Sequence, residues 1–296
     1  MLGIGGSGAD PSLSRDVQKA LQQSMLALAE GSKPLAAVTR AVAALEDDGA
    51  FNAGRGSALR QDGLSILMDA MVWDSSGNFG AVTNLGLVRN PVKVALDVAN
   101  SQLAMMGGPG ATSFARAHGH PAFDAWSSRA QRQWEVASMA DAGRERDGEG
   151  ASDSQHSSVN TIAYHNAAVV LRTAEGQFAG AASGGGSSLA LPGEIGAAGI
   201  PGAALFVGQN GAVAISGPSP LLLRIQLARA VYEQMIESQS TTQAVVYGLE
   251  ATPKDTTLAI VAVDRDTFRM GSRGPVAWGF LPSAPNTPTP IQASEP

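Results

Sequence analysis

The sequence contains no cysteine. Disulfide bonds, thiol nucleophiles and thiolate metal sites are therefore excluded, and the absence fits a cytoplasmic protein. Aromatic residues make up only 5% of the chain, whereas 35 of its 296 residues are glycine and 44% are hydrophobic. We expect a sizeable core that is built from small side chains on closely packed elements.

The sequence also lacks the features of a nucleic-acid-binding surface and of a membrane-spanning segment. The net charge is −6, and lysine and arginine form no cluster long enough to follow a phosphate backbone, which argues against a nucleic-acid partner. No apolar run approaches the roughly 20 residues that span a bilayer. The opening residues MLGIGGSGADPS lack the basic and apolar regions of a secretory signal. These absences predict a cytoplasmic protein that binds neither nucleic acid nor membrane.

Strand-like and helical patterns of apolar residues follow one another along the chain in a mirrored order: strand, helices, strands, linker, strands, helices, strands. Alternating patterns predict strands and spacings of three and four predict helices. The predicted strands are LGIGGSG, 64–74, 79–88, 160–171, 177–182, a pair within 200–216, 257–264 and 267–273, and the predicted helices begin near Ser14, Pro34, Pro91, Pro220 and Thr241. This order predicts two sheets with helices on their outer faces, in one domain over 1–281. Asp69 and Asp74 are expected to be hairpin and solvent-facing residues.

A polar segment divides the predicted domain into two parts. Residues 140–158, ADAGRERDGEGASDSQHSS, contain no large apolar side chain, so they cannot bury enough surface to offset the entropy of ordering. We expect a flexible linker over 140–159, which separates a first part, 1–160, from a second, 161–281. The proline-rich tail, 282–296, is expected to be disordered.

The stretch 45-LEDDGAFNAGRGS-57 resembles the plant-type asparaginase and isoaspartyl peptidase family of N-terminal-nucleophile hydrolases. Pieces along nearly the whole chain follow in the order expected of that family: Met68-Asp69-Ala70, 88-VRNPVKVA-95, 183-SGGG-186 and 192-PGEIG-196. The resemblance implies a four-layer αββα sandwich, self-cleavage at the linker and hydrolysis of an amide by a threonine at the new chain start. It further implies a structural sodium ion on backbone carbonyls, here those of Leu45, Glu46 and Phe51, and no other cofactor.

Two readings of the nucleophile stay open. Asn160-Thr161-Ile162-Ala163 is similar to the family's cleavage site and follows the linker directly, which makes Thr161 the candidate nucleophile. Counting back from Glu175 without a gap, however, places the family's threonine position on Asn166, which has no hydroxyl. Thr161 is either a nucleophile in a chain with a longer hairpin or an ordinary strand residue.

The resemblance also assigns the residues that contact the substrate. The family's oxyanion-binding Thr-Gly pair corresponds to Ser216-Gly217, and Asn52 of the FNAG stretch is expected to contact the substrate. The arginine and aspartate that hold the substrate amino acid correspond to Glu194 and Ala197. Because Glu194 would repel an α-carboxylate, it predicts a substrate that lacks this group or carries a cation.

Three hypotheses follow from these residues. The first is a self-processed amide hydrolase with altered specificity, which acts on a small molecule or a peptide and forms a homodimer as its relatives do. The second is an inactive relative that serves as a binding or scaffold module, which is favoured by Asn166, Gly184, Glu194 and Ala197. The third is a chain truncated at its beginning, because only Met1–Gly3 precede the first turn.

Overall fold

The computed structural model describes residues 1–146, 166–281 and 291–292. The strands of this part of the chain are β1 Leu2–Ser7, β2 Met68–Asp74, β3 Phe79–Leu85, β4 Met105–Gly107, β5 Ala167–Arg172, β6 Phe178–Gly184, β7 Leu205–Gly208, β8 Gly211–Ser216, β9 Leu258–Asp264, β10 Phe268–Arg273, β11 Val276–Phe280 and β12 Ile291–Gln292. The helices are α1 Ser14–Ala29, α2 Pro34–Asp48, α3 Pro91–Ala99, α4 Gly108–Ala117, α5 Ser128–Arg146, α6 Ser219–Ile225, α7 Leu227–Ser238 and α8 Thr241–Glu250.

The strands form two sheets. The larger sheet has the order β11-β1-β5-β6-β2-β3-β4, and the smaller has the order β12-β10-β9-β8-β7. Strands β5 and β6 are antiparallel neighbours in the middle of the larger sheet, with Ala167 opposite Ser183. Strand β2 lies on the other side of β6, with Asp69 opposite Gly184. The starts of β2 and β5 and the end of β6 therefore lie side by side at the same end of these strands.

Apolar residues alternate between the two faces of each sheet, and this alternation produces three layers of core. Small and branched side chains of β1, β5, β8 and β9 fill the space between the sheets, including Ile4, Val170, Ala214 and Val261. Helices α1–α4 cover the outer face of the larger sheet. Helices α6–α8 cover the outer face of the smaller one. The predicted αββα sandwich is confirmed.

The structure differs from the predicted elements where a polar contact overrides the apolar pattern. Strand β2 begins at Met68 rather than at Leu64, because the Asp62 carboxylate accepts the amides of Leu64 and Ser65 and closes a turn there. The predicted helix from Pro220 breaks at Gln226, which has a φ of 49° and separates α6 from α7.

The segments expected to lack structure also differ in part. Helix α5 continues to Arg146, so the first residues of the predicted linker are helical, and the remaining ones lie outside the described residues. Within the predicted disordered tail, Ile291–Gln292 pair in parallel with β10. Strand β11, which the pattern did not predict, pairs with β1 at the edge of the larger sheet. Among the helices of the described ranges, none is long and apolar enough to cross a membrane.

We expect the substitution Gly80→Ala to destabilise the protein by about 3 kcal/mol or more, because the sheet and α3 meet there backbone to backbone. A Cβ at Gly80 would overlap the Ala95 carbonyl and the Ala99 nitrogen, which cannot move without displacing the helix. Gly110→Ala is the matched control, since a Cβ at Gly110 would make only an ordinary contact with the end of the Met106 side chain, at 3.9 Å. Urea unfolding of both variants measures the difference, and equal stabilities would contradict the close approach.

Candidate active site

A narrow pocket lies where the ends of β2, β5 and β6 meet two loops. Its lining residues are mostly small or polar: Asn52, Asp69, Asn166, Gly184, Gly186, Ser187, Gly196, Ala197, Ala198 and Ser219. The free space has room for about one water molecule, so the described residues enclose a small group rather than a long chain. Asp69 is the one charged side chain in this lining.

Asn166 stands at the start of β5 and faces the pocket. The register that pairs Ala167 with Ser183 places Asn166 beside Gly184, on the neighbouring strand. The Asn166 side chain is buried, and its Nδ2 donates to the Ile215 carbonyl at 2.9 Å. An amide group therefore occupies the position where the ungapped count placed the family's threonine.

The FNAG stretch forms one wall of the pocket. Helix α2 ends at Gly49 in the left-handed conformation, which turns the chain into this loop. Asn52 then bridges to the 184–187 loop in two ways. Its Nδ2 donates to the Gly186 carbonyl at 2.6 Å, and its own carbonyl accepts the Gly185 amide at 3.0 Å. Asn52 thus lines the pocket and fixes the loop that closes it.

Asp69 forms the floor of the pocket and holds a second loop in place. Its two carboxylate oxygens accept the backbone amides of Asn84 at 3.0 Å and of Gly196 at 2.8 Å. Burial raises the pKa of this carboxyl to about 6, although the two amides and Arg60 act in the opposite direction. The prediction that Asp69 is a hairpin or solvent-facing residue is wrong, because its side chain is fully buried.

Arg60 is a buried cation behind the pocket wall. Its side chain is 1% exposed, and one Nη donates to the Leu67 carbonyl at 2.6 Å. The guanidinium packs against Gly186, where there is no room for a Cβ. Burial lowers the pKa of Arg60, and the carboxylates of Asp69 and Glu194 partly offset this effect. Arg60 therefore adds positive charge beneath the pocket without reaching its surface.

Glu46, in the last turn of α2, is a second buried acid. Its Oε1 accepts the amide of Val92 in the first turn of α3 at 3.0 Å. Burial raises the pKa of Glu46 to about 8, against the opposing effects of Ser183, Val92 and Asn90. The carboxyl is therefore mostly protonated at neutral pH. It joins α2, α3 and β6 directly behind the Gly184 end of the pocket.

The residues assigned to the oxyanion and substrate positions lie at unequal distances from the pocket. Ser216 is buried at the end of β8, and its Oγ accepts the Ser7 amide at 2.9 Å, next to the carbonyl that Asn166 contacts. Gly217 follows Ser216 in the chain, two positions before Ser219, which lines the pocket.

The two residues that correspond to the family's arginine and aspartate differ in position. Ala197 lines the pocket, and its amide donates to the Ser219 hydroxyl at 3.1 Å. Glu194 is exposed and outside the lining, and its charge acts on Asp69 and Arg60.

Three further predictions concern the cleavage site and the sodium loop. Asn160 and Thr161 lie outside the described residues. Leu45, Glu46 and Phe51 are all buried at the turn that joins α2 to the FNAG loop. In that turn, the carbonyls of Gly49 and Phe51 converge on Gly56, and Gly49 also accepts Arg129 Nη1 at 2.8 Å.

Sequence reasoning missed Asp69, Arg60 and Ser219 as neighbours of the pocket. The sequence did contain a signal for Asp69. An acidic residue within an apolar strand such as LMDAMVW is buried only where its carboxyl is hydrogen-bonded or paired with a charge. Arg60 and Ser219 carried no such signal, because each lies in a polar loop where an exposed side chain is the ordinary expectation.

The fold and the pocket together define the class of protein. An αββα sandwich with a pocket at the start of a central strand matches the sandwich expected of the N-terminal-nucleophile hydrolases. A family model described as asparaginase matches residues 7–280, and the chain belongs to the asparaginase family. The resemblance drawn from the FNAG stretch is thereby confirmed.

Individual relatives are similar over most of their length. The isoaspartyl peptidase/L-asparaginase of Xenopus laevis is 29% identical over 81% of this chain and 75% of its own. The plant-type L-asparaginase of Pyrococcus furiosus is 27% identical over 86% and 84%, respectively. The isoaspartyl peptidase/L-asparaginase of Homo sapiens is 29% identical over 81% and 78%. These names describe enzymes that hydrolyse amides.

Proposed function

We propose that this protein is an amide hydrolase that cuts its own chain between Asn160 and Thr161 and then uses Thr161 as its nucleophile. The observation that carries the proposal is the pocket at the start of β5, lined by Asn52 and Asn166, in a chain of the asparaginase family. Thr161 precedes Asn166 by five residues, and five extended residues reach roughly 17 Å. A segment of this length is sufficient to span the distance from Asn166 across the pocket.

In this mechanism the new α-amino group of Thr161 takes the proton of the neighbouring hydroxyl, whose oxygen attacks the substrate carbonyl. The oxyanion that forms is stabilised by donors at Ser216-Gly217. The amine then leaves with the transferred proton, which yields an ester on Thr161. Water, deprotonated by the same amino group, hydrolyses the ester and releases the acid.

The substrate specificity proposed here departs from asparagine. Ala197 lines the pocket where the resemblance implies an acid. Glu194, which takes the place of the implied arginine, is exposed outside the lining, and its charge acts on Asp69. A bidentate arginine is the group that best holds a carboxylate, and a glutamate repels one. We therefore assign an amide substrate without a free α-carboxylate, a small molecule or a peptide, with Asn52 and Glu194 beside it.

The second candidate, an inactive binding module, is favoured by one observation. Asn166 fills the position beside Gly184 with an amide that is already bonded to the Ile215 carbonyl. A direct assay separates the two functions. We expect the purified chain to release ammonia from a panel of primary amides above the rate of a heat-denatured sample. A correctly folded chain that releases none from any amide would contradict the hydrolase and leave the binding module.

We also propose that the carbonyls of Leu45, Glu46 and Phe51 hold a sodium ion, which would tighten the FNAG loop. Carbonyl oxygens are suitable donors for such a cation, and those of Gly49 and Phe51 already converge in this turn. We expect the melting temperature to be higher in sodium chloride than in choline chloride of equal concentration. Equal melting temperatures in the two salts would contradict the site.

A homodimer and a cytoplasmic location stay predictions. Light scattering tests the first, and cell fractionation tests the second.

A further inference from the structure

We infer that Asp69 binds the positively charged end of the substrate, so that the preferred substrate is a small amide that carries an ammonium group and no carboxylate beside it. This inference rests on the proposed function and names the substrate class of the same pocket. It assigns to a residue of β2 the recognition that the altered loop residues Glu194 and Ala197 no longer provide.

The first argument is the charge of the pocket. Asp69 contributes the one charged side chain of the lining, and the other polar groups there belong to asparagine and serine. Glu194, outside the lining, adds a second negative charge that acts on Asp69. The nearest opposing charge, Arg60, lies behind Gly186 and outside the lining, whereas the carboxylate of Asp69, although fully buried, borders the free space. The field inside the pocket therefore favours a cation.

The second argument is the fit between the free space and an ammonium group. The space has room for about one water molecule, which is also the size of a primary ammonium. An ammonium has three donors and no acceptor. Each carboxylate oxygen of Asp69 has accepted one backbone amide and keeps a further lone pair. The two amides hold the carboxylate in one orientation at the floor of the pocket.

The proposal is tested with three fragments that share a primary amide. These are 3-aminopropanamide, which carries an ammonium; succinamate, which carries a carboxylate; and uncharged propanamide. Binding to the purified full chain is measured at pH 7.5 by ligand-observed NMR, in parallel with ammonia release. We expect 3-aminopropanamide to bind at least tenfold more tightly than the other two. Binding no tighter than that of propanamide, including no detectable binding of any fragment, overturns the inference.

Two variants on the same strand assign the effect to one carboxylate. Asp69→Asn should reduce the affinity for 3-aminopropanamide to that of propanamide. Asp74→Asn, in the exposed hairpin turn, should leave it unchanged. If Asp69→Asn retains the wild-type preference, the inference is wrong.

A measurement on the wild type keeps the test valid if Asp69→Asn fails to fold. Since the pKa of Asp69 is raised to about 6, the carboxylate is lost below that pH, with Arg60 and Glu194 as the charges that face it. The affinity for 3-aminopropanamide should therefore fall about tenfold per pH unit once the pH is well below 6. A pH-independent affinity from pH 4.5 to 7.5 overturns the inference.

The same experiment separates the inference from the proposed function. If 3-aminopropanamide binds through Asp69 and is not hydrolysed, the recognition stands and the hydrolase does not. If the chain hydrolyses succinamate faster than 3-aminopropanamide, the hydrolase stands and the recognition by Asp69 fails.

Discussion

Thr161→Ala is expected to yield a single uncut chain and to lower amide hydrolysis by about a thousandfold or more. Removing an N-terminal nucleophile abolishes both reactions that need its hydroxyl, namely the attack on the Asn160 carbonyl and the attack on the substrate. Loss of a covalent nucleophile in other hydrolases leaves only the catalysis that binding and oxyanion donors supply. Mass spectrometry under denaturing conditions reports the first reaction, and ammonia release reports the second.

Two further variants make this result specific. Thr161→Ser keeps a hydroxyl and should retain both cleavage and a reduced rate of turnover. Ser158→Ala removes a hydroxyl from the same segment, three residues earlier, and should change neither reaction. Normal cutting by Thr161→Ala would rule out Thr161 as the nucleophile. Turnover by an uncut Thr161→Ala chain would move the search to the hydroxyls of the pocket itself.

Glu46→Gln is expected to remove a large part of the pH dependence of stability. The folded pKa of Glu46 is raised to about 8 from an ordinary value of 4.5. Between these two pH values the unfolded chain has released the proton and the folded chain still holds it, so the free energy of unfolding falls as the pH rises. One pKa unit corresponds to about 1.4 kcal/mol, which makes the total loss on the order of 5 kcal/mol.

Glutamine resembles the neutral carboxyl in shape and can still accept the Val92 amide. The variant should therefore match the wild type near pH 5 and exceed its stability near pH 8.5, by several kcal/mol. Between pH 3.8 and pH 6, Asp69 also lowers the free energy of unfolding as the pH rises, and this contribution is common to both proteins. Urea unfolding at three pH values measures the difference. Parallel pH profiles of the two proteins would contradict a buried, protonated Glu46.

The layered fold was predictable from the sequence because its strand and helix patterns extend over many residues and because proline and glycine mark their ends. Pro34 is an example, because it stands where the pattern predicted a helix to begin, and Gly49 ends the same helix in the left-handed conformation. Predictions failed where one side chain decided the geometry. The carboxylate of Asp62 shortened β2, and Gln226 divided a helix whose apolar pattern continues across the break.

The candidate site was predictable only in part. The FNAG stretch identified the family and led to Asn52, which the structure places in the pocket wall. The same reasoning treated Asp69 as a solvent-facing residue, because a strand pattern does not show which face meets a loop from the other half of the chain. Gly196 lies 127 positions from Asp69, and contacts at that separation leave no local signal.

The most direct test of a self-processed hydrolase is the intact mass of the freshly purified and the aged wild-type chain under denaturing conditions. The mechanism predicts two fragments, of which the second begins at Thr161, and a conversion that proceeds with time. A second fragment with any other first residue would contradict the assignment of Thr161. A single uncut mass in a preparation that hydrolyses amides would contradict the N-terminal nucleophile altogether.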